Sequence, residues 1–277
     1  TIIYRLRQHG RRCLIIAILL CTIIGTSTML LIVSGTSPHM NMTEEMYDNF
    51  QVIREELINQ GVKKSPLSDP ASSQYFALMQ LTKEATAGKL FISTILDDVE
   101  PVVAINSQGD PSNFNDAYRE RRIVAERYVL LTFHHSTSAS INKWSTKDNW
   151  LSNDKSICDG WHGITCRELL GDSVAVKVVT SINLASNGLI GTIPPDVSHL
   201  FQLEVLSLEG NLLEGKVPNS LGTLERLKSL RMSNNLLSGE VPRSVCNLKK
   251  SKHLTELISD CGGGDGDIEC SCCTECL

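Results

Sequence analysis

A short solenoid of stacked parallel strands is the fold this chain predicts, and three observations carry that reading. The first is a phrase that recurs every 24 residues. Val179, Ile182, Leu184, Asn187, Leu189, Gly191, Ile193 and Pro194 return as Leu203, Leu206, Leu208, Asn211, Leu213, Gly215, Val217 and Pro218. They return again as Leu227, Leu230, Met232, Asn235, Leu237, Gly239, Val241 and Pro242. The second is the apolar order inside each copy, L-x-x-L-x-L-x-x-N, which is the pattern of a leucine-rich repeat. The third is the placing of eight cysteines around the array: Cys158 and Cys166 before it, and Cys246, Cys261, Cys270, Cys272, Cys273 and Cys276 at its end and beyond. A solenoid must close both open ends, and cysteines there suit disulfide-bonded caps in an oxidising compartment.

The N-terminal part predicts the compartment. Residues Cys13 to Val33 form a run of 21 without a charge, long enough to cross a hydrocarbon core. Arg5, Arg7, Arg11 and Arg12 precede it, and no Lys or Arg follows until Arg54. The positive-inside rule therefore reads residues 1–12 as a short basic cytosolic segment, 13–33 as a transmembrane signal anchor, and the rest as extracellular or lumenal. A cleaved signal peptide is the rival, although its usual apolar stretch of about 7 to 15 residues is shorter than this run. The formal charge of -5 gives no reason to expect nucleic acid as a partner.

Residues 34–112 are expected to form a juxtamembrane stem with amphipathic helices. Asn41-Met-Thr43 is a candidate glycosylation site. Met46, Phe50, Ile53 and Leu57 fall at helical spacing among acidic residues and need a surface to lie against. Pro66 and Pro70 mark a turn over 63–73, and Tyr75, Leu78, Met79 and Thr82 line a second helix that Gly88 closes. Residues 113–178 are read as an N-terminal helix followed by the cap of the repeats. The helix register of Tyr118, Val124, Tyr128, Leu131 and His135 leaves Arg119, Glu120, Arg122, Glu126 and Arg127 to solvent. In the cap, Trp161 lies between Cys158 and Cys166, and Gly163 permits a tight turn, which makes a compact plug closed by a disulfide.

Within residues 179–260 the repeats divide into scaffold and surface. Asn187, Asn211 and Asn235 recur where the chain leaves the strand and are read as an internal hydrogen-bonding ladder. A fourth, degenerate repeat follows, with Leu254 standing 27 residues after Leu227 instead of 24. The exposed strand positions form the default ligand surface of such an array, and Asn183, Glu204, Ser207, Glu209, Lys228 and Arg231 are its candidate contacts. That strip is polar, mixed in sign and without a Tyr or Trp anchor. Residues 261–277 form a Cys-rich C-terminal cap whose six cysteines, counting Cys246, allow fifteen pairings. Cys273-x-x-Cys276 has zinc-like spacing, so a metal cluster is the rival there; outside the cytosol disulfides are preferred, and neither a metal nor a cofactor is assigned.

The Cys158, Trp161, Gly163, Cys166 order after Asn149-Trp150, together with the Leu-x-Gly-x-Ile/Val-Pro consensus of all three copies, resembles the plant-type extracellular leucine-rich-repeat proteins. The upstream helix and Cys-rich terminus are most similar to the single-pass membrane-linked repeat proteins of diatoms and related algae. The resemblance implies an additional short strand or extended segment after each glycine, and the exposed strip is expected to take a protein, peptide or glycan as partner. No Gly-rich phosphate loop, H-E-x-x-H or G-x-S-x-G is present, so no enzyme is expected. The chain is expected to be a membrane-anchored binding module without its own kinase domain, signalling if at all through a transmembrane co-receptor. The alternative is a structural wall or matrix protein or an inhibitor of secreted enzymes.

Overall fold

The structure, a computed structural model, describes residues 42–88, 116–138, 144–152, 155–170, 175–261 and 268–277. The expected cytosolic segment, the anchor at 13–33 and Asn41 lie outside the described residues. Among the described residues no helix is long and apolar enough to cross a membrane.

Among the described residues four helices come first: α1 (Glu44–Asn59), the single turn α2 (Lys64–Leu67), α3 (Ser73–Thr86) and α4 (Asp116–Ser136). The apolar stripe of α1 finds its surface in α3, with Phe50, Ile53 and Leu57 buried and the Phe50 and Tyr75 rings 6.1 Å apart. Pro66 sits inside α2 instead of merely marking a turn. In a one-turn helix its missing N–H would have had no intrahelical acceptor. Ser72 caps α3 by accepting from the Tyr75 N–H at 3.0 Å.

Helix α4 corrects the sequence reading. Arg122, Glu126 and Arg127, expected in solvent, are all buried. Each is paired: Arg122 with Glu126 at 2.9 Å, and Arg127 with Glu84 of α3 through two hydrogen bonds. The third face of α4 is covered by the first repeat, because α4 packs on β2 (Ala175–Asn183), on β3 (Ile190–Thr192) and on the 3-10 turn Pro195–His199. The helices and the repeats thus form one compact unit, Glu44–Leu277.

The solenoid has a six-stranded sheet and a three-stranded one. In the larger, β1 (Ile164–Leu170) runs antiparallel to β2, and β4 (Val205–Ser207), β6 (Ser229–Arg231), β8 (Glu256–Ser259) and β9 (Glu275–Cys276) then follow in parallel. The register aligns Ile182, Leu206, Leu230 and Leu257 in one fully buried row, so the irregular fourth copy joins the same ladder despite its three extra residues. The strand β1, which brings Cys166 into the sheet, has no counterpart in the repeat phrase.

The smaller sheet joins β3, β5 (Leu212–Gly215) and β7 (Leu236–Leu237); the extra strands were expected after each glycine, but β3 straddles Gly191, β5 ends at Gly215 and β7 ends before Gly239. Gly191 opens this side: its φ is +120°, and a Cβ there would lie 2.2 Å from the Ser136 carbonyl oxygen at the end of α4. The outer side is completed by the 3-10 turns Pro195–His199 and Asn219–Thr223 and by α5 (Arg243–Lys250). The tail then seals both sheets, since Glu269 bridges to Glu240 and β9 extends β8, with Ile268 buried beneath.

Candidate ligand-binding surface

The outward side chains of the large sheet fall into rows fixed by the register. One row is Ser181, Val205, Ser229 and Glu256, and the next is Asn183, Ser207, Arg231 and Ile258. Glu204 and Lys228 precede these rows at the entrance to β4 and β6, where Lys228 N–H donates to the Glu204 carbonyl at 2.8 Å.

The charged candidates are paired with one another. Glu204 accepts from Arg167 of β1 on one carboxylate oxygen and from Lys228 at 2.7 Å on the other. The Lys228 hydrogen bond is the main reason that the Glu204 carboxyl is held below its ordinary range. Arg167 adds to the effect and partial burial opposes it. Arg231 meets Glu209 at 2.7 Å, and Ser229 donates to Glu256. Lys228, Arg167 and Arg231 still expose 62%, 43% and 40% of their side chains, so the pairs are open to solvent and individually weak. Asn183 is exposed at the N-terminal edge of the second row.

Ser207 departs from expectation: it stands in the strip but is buried. Its register neighbours Asn183 and Arg231 are longer on both sides, so a serine between them lies at the floor of the strip. Sequence reasoning missed Arg167 and Glu256. Arg167 belongs to the cap strand and Glu256 to the irregular copy, and neither falls at a position the 24-residue phrase marks.

The asparagines act as the ladder. Asn211 accepts from the Asn187 and Leu189 N–H groups, both at 3.0 Å, and donates to the Leu184 and Leu208 carbonyls at 2.9 and 2.8 Å. Asn235 repeats this toward Leu213, Leu208 and Met232, and Asn187 carries it into the cap through Thr146. Asp260 ends the ladder by accepting from the Asn234 and Asn235 N–H groups at 2.7 and 3.1 Å. An ionised carboxylate has no donor half, which fits a last rung that accepts only.

All eight cap cysteines are in disulfides: Cys158–Cys166, Cys246–Cys272, Cys261–Cys276 and Cys270–Cys273. Behind the first, Trp144, Trp150, Trp161 and His134 form an aromatic cluster with ring separations of 4.6 to 6.0 Å. Burial, then the neighbouring His135 and Lys147, push the His134 imidazole down to about 4.

The leucine rich repeat family matches residues 177–237. Among solved structures, the chain is similar to that of the PEPR1–AtPEP1 complex over 47% of its own length and 20% of that chain, at 22% identity and a TM-score of 0.38. It is similar to the leucine-rich-repeat ectodomain of the receptor kinase SOBIR1 from Arabidopsis thaliana over 49% of its length and 78% of that chain, at 23% identity and TM-score 0.33. It is also similar to the Arabidopsis receptor kinase HAESA ectodomain, solved with a peptide hormone, over 47% and 19%, at 27% identity and TM-score 0.36. The chain thus spans about a fifth of the PEPR1 and HAESA chains.

Proposed function

We propose that a chain carrying leucine-rich repeats on this scaffold is a binding module, anchored in a membrane by residues 13–33, that recognises a protein or peptide with its large sheet outside the cell or in the secretory lumen. The observation that carries this reading is the exposed, ion-paired strip of Arg167, Glu204, Lys228, Glu209 and Arg231. Exposed pairs of this kind contribute little to stability, on the order of 0 to 1 kcal/mol each. A complementary charged chain can exchange for them at small cost, and the alternation of sign along the strip confers selectivity.

Basic residues before the hydrophobic run and four disulfides after it support the proposed orientation. The likeness to the membrane-linked repeat proteins of diatoms points the same way, on sequence motifs alone. No catalytic role is proposed, and a signal would pass through a membrane partner that this module engages.

Site-specific photo-crosslinking in cells expressing the full chain tests the proposal. A crosslinker at position 183, beside the strip, is expected to trap a discrete adduct that disappears with Lys228→Glu and Arg231→Glu together. The same crosslinker at position 201, outside the strip, should trap none. Equal adducts from both positions, or an adduct indifferent to the charge reversals, defeat the reading. Release of the chain by high salt without detergent would favour a matrix component instead.

A further inference from the structure

Two of the tail disulfides lie side by side. Cys270–Cys273 bridges residues three apart, and Cys261–Cys276 joins the segment just after β8 to β9. The sulfurs of Cys261, Cys270 and Cys273 are all within 4.8 Å of one another, and the Cys276 sulfur is bonded to that of Cys261. Three of these residues are partly exposed and Cys276 is exposed, so a reductant and a cation can reach them. The remaining tail disulfide, Cys246–Cys272, ties the tail to α5.

We propose that in the reduced protein Cys261, Cys270, Cys273 and Cys276 form a tetrathiolate site for a soft divalent cation of the zinc type. The tail would then have two interchangeable closures, two disulfides or one bound metal. A tetrahedral zinc site has Zn–S distances of about 2.3 Å, which sets the sulfurs about 3.8 Å apart. The separations among the Cys261, Cys270 and Cys273 sulfurs exceed that by roughly 1 Å at most, within the reach of side-chain rotation, and reduction frees Cys276 from Cys261 to turn about its own side-chain bonds. The spacing Cys270-x-x-Cys273-x-x-Cys276 supplies three ligands from one short segment, and Cys261 the fourth.

The backbone that presents them is held independently of sulfur. Glu269 N–H donates to the Gly239 carbonyl at 2.8 Å, and the Glu269 carbonyl accepts from Val241 N–H at 2.9 Å. Thr274 N–H donates to the Leu257 carbonyl, its hydroxyl accepts from Leu257 N–H, and Leu277 N–H donates to the Ser259 carbonyl. The exchange balances with a dithiol as reductant. Two dithiols are oxidised to two cyclic disulfides, the two protein disulfides become four thiols, and the cation displaces four protons as it binds. Oxidation reverses the sequence and releases the cation.

The experiment uses the full chain, reduced and metal-free under anaerobic conditions, titrated with Co²⁺ as a spectroscopic stand-in. One equivalent should raise a thiolate-to-cobalt charge-transfer band with tetrahedral ligand-field bands, and Zn²⁺ should bleach both. Cys270→Ser with Cys273→Ser should abolish the band, and Cys246→Ser with Cys272→Ser should leave it. The near-ultraviolet dichroism of the tryptophan cap reports folding throughout. The proposal is overturned by the lack of a stoichiometric band, by its survival in the first double variant, or by its loss in the second. A band that forms only after the tryptophan dichroism has collapsed overturns it too, because the ligands then come from an unfolded chain.

Discussion

The hydroxyl of Tyr128 on α4 donates to Asp196 Oδ1 at 3.0 Å, joining residues 68 apart in sequence. Asp196 lies in the 3-10 turn Pro195–His199 of the first repeat, and its other oxygen accepts from Gln74 of α3 at 2.7 Å. One buried carboxylate thus fastens two helices to the solenoid. Burial first, and the Asp196 charge second, hold the Tyr128 phenol protonated far above its usual range.

Removing Asp196 orphans two donors, whereas removing the Tyr128 hydroxyl leaves the Asp196 carboxylate with its Gln74 hydrogen bond. Tyr128→Phe is expected to cost about 1 kcal/mol, and Asp196→Ala about 2 to 3 kcal/mol. In urea unfolding both should lower the midpoint with an unchanged slope, since helices and repeats unfold as one body. A separate early transition in Asp196→Ala would instead mean that the helices melt by themselves.

Arg127 is held by Glu84, by the Ser152 carbonyl at 2.7 Å and by the Trp161 ring, 5.1 Å from its guanidinium carbon. Glu84→Ala leaves a buried cation short of its counter-charge and is expected to destabilise by about 3 to 5 kcal/mol. Adding Arg127→Met should recover a large part of that loss. A double-mutant cycle with no coupling between the two would show the pair to be incidental.

The neutral imidazole of His134 makes stability sensitive to acid. Its folded value of about 4 lies below the ordinary value of about 6.5, so between those limits the unfolded chain binds more protons. The contribution is complete above pH 6.5 and lost as pH falls toward 4; single-site linkage puts the loss near 2 kcal/mol at pH 5. His135 and His199, also lowered by burial, act in the same sense, while the raised Glu126 carboxyl opposes them. His134→Phe, which keeps a ring in the tryptophan cluster, should flatten the Tm profile between pH 7 and 5. An equally steep profile in that variant would assign the acid sensitivity elsewhere.

Scaffold and strip should separate cleanly under mutation. Asn211→Ala removes both halves of a buried four-bond bridge and is expected to cost about 3 kcal/mol. Lys228→Ala breaks only an exposed pair and should stay within about 0.5 kcal/mol of the parent. Calorimetric Tm values for the two variants provide the comparison.

The residues that the sequence reveals are those whose role repeats. Ile182, Leu206 and Leu230 are legible because a parallel stack brings position i against position i+24 in every copy, so burial is written as a period. Asn187, Asn211 and Asn235 are legible for the same reason. Arg122, Glu126 and Arg127 are not. Their helix register alone makes them a polar face, and it is the arrival of α3, with Glu84 against Arg127, and of β2, whose Val179 N–H donates to Glu126, that turns that face inward.

The candidate site was half legible. Glu204, Glu209, Lys228 and Arg231 stand at solvent-facing repeat positions, but that they neutralise one another follows from which copy lies beside which. Arg167 enters from the cap strand, and Ser207 is shielded by longer neighbours in register. The cysteine count pointed to capped ends, yet fifteen pairings were open until Ile268 and β9 fixed where the tail runs.

The sequence by itself determined the repeat, its buried rows, its asparagine ladder and the two cysteine-bearing ends, because each of these depends on spacing along one chain. The tertiary structure decided the burial of the α4 charges, the ion pairing of the strip, the Asp260 rung and the disulfide partners. Those depend on which distant segments share a dry or crowded space, and the free energy of a charge or a thiol is set by its neighbours there rather than by its place in the phrase.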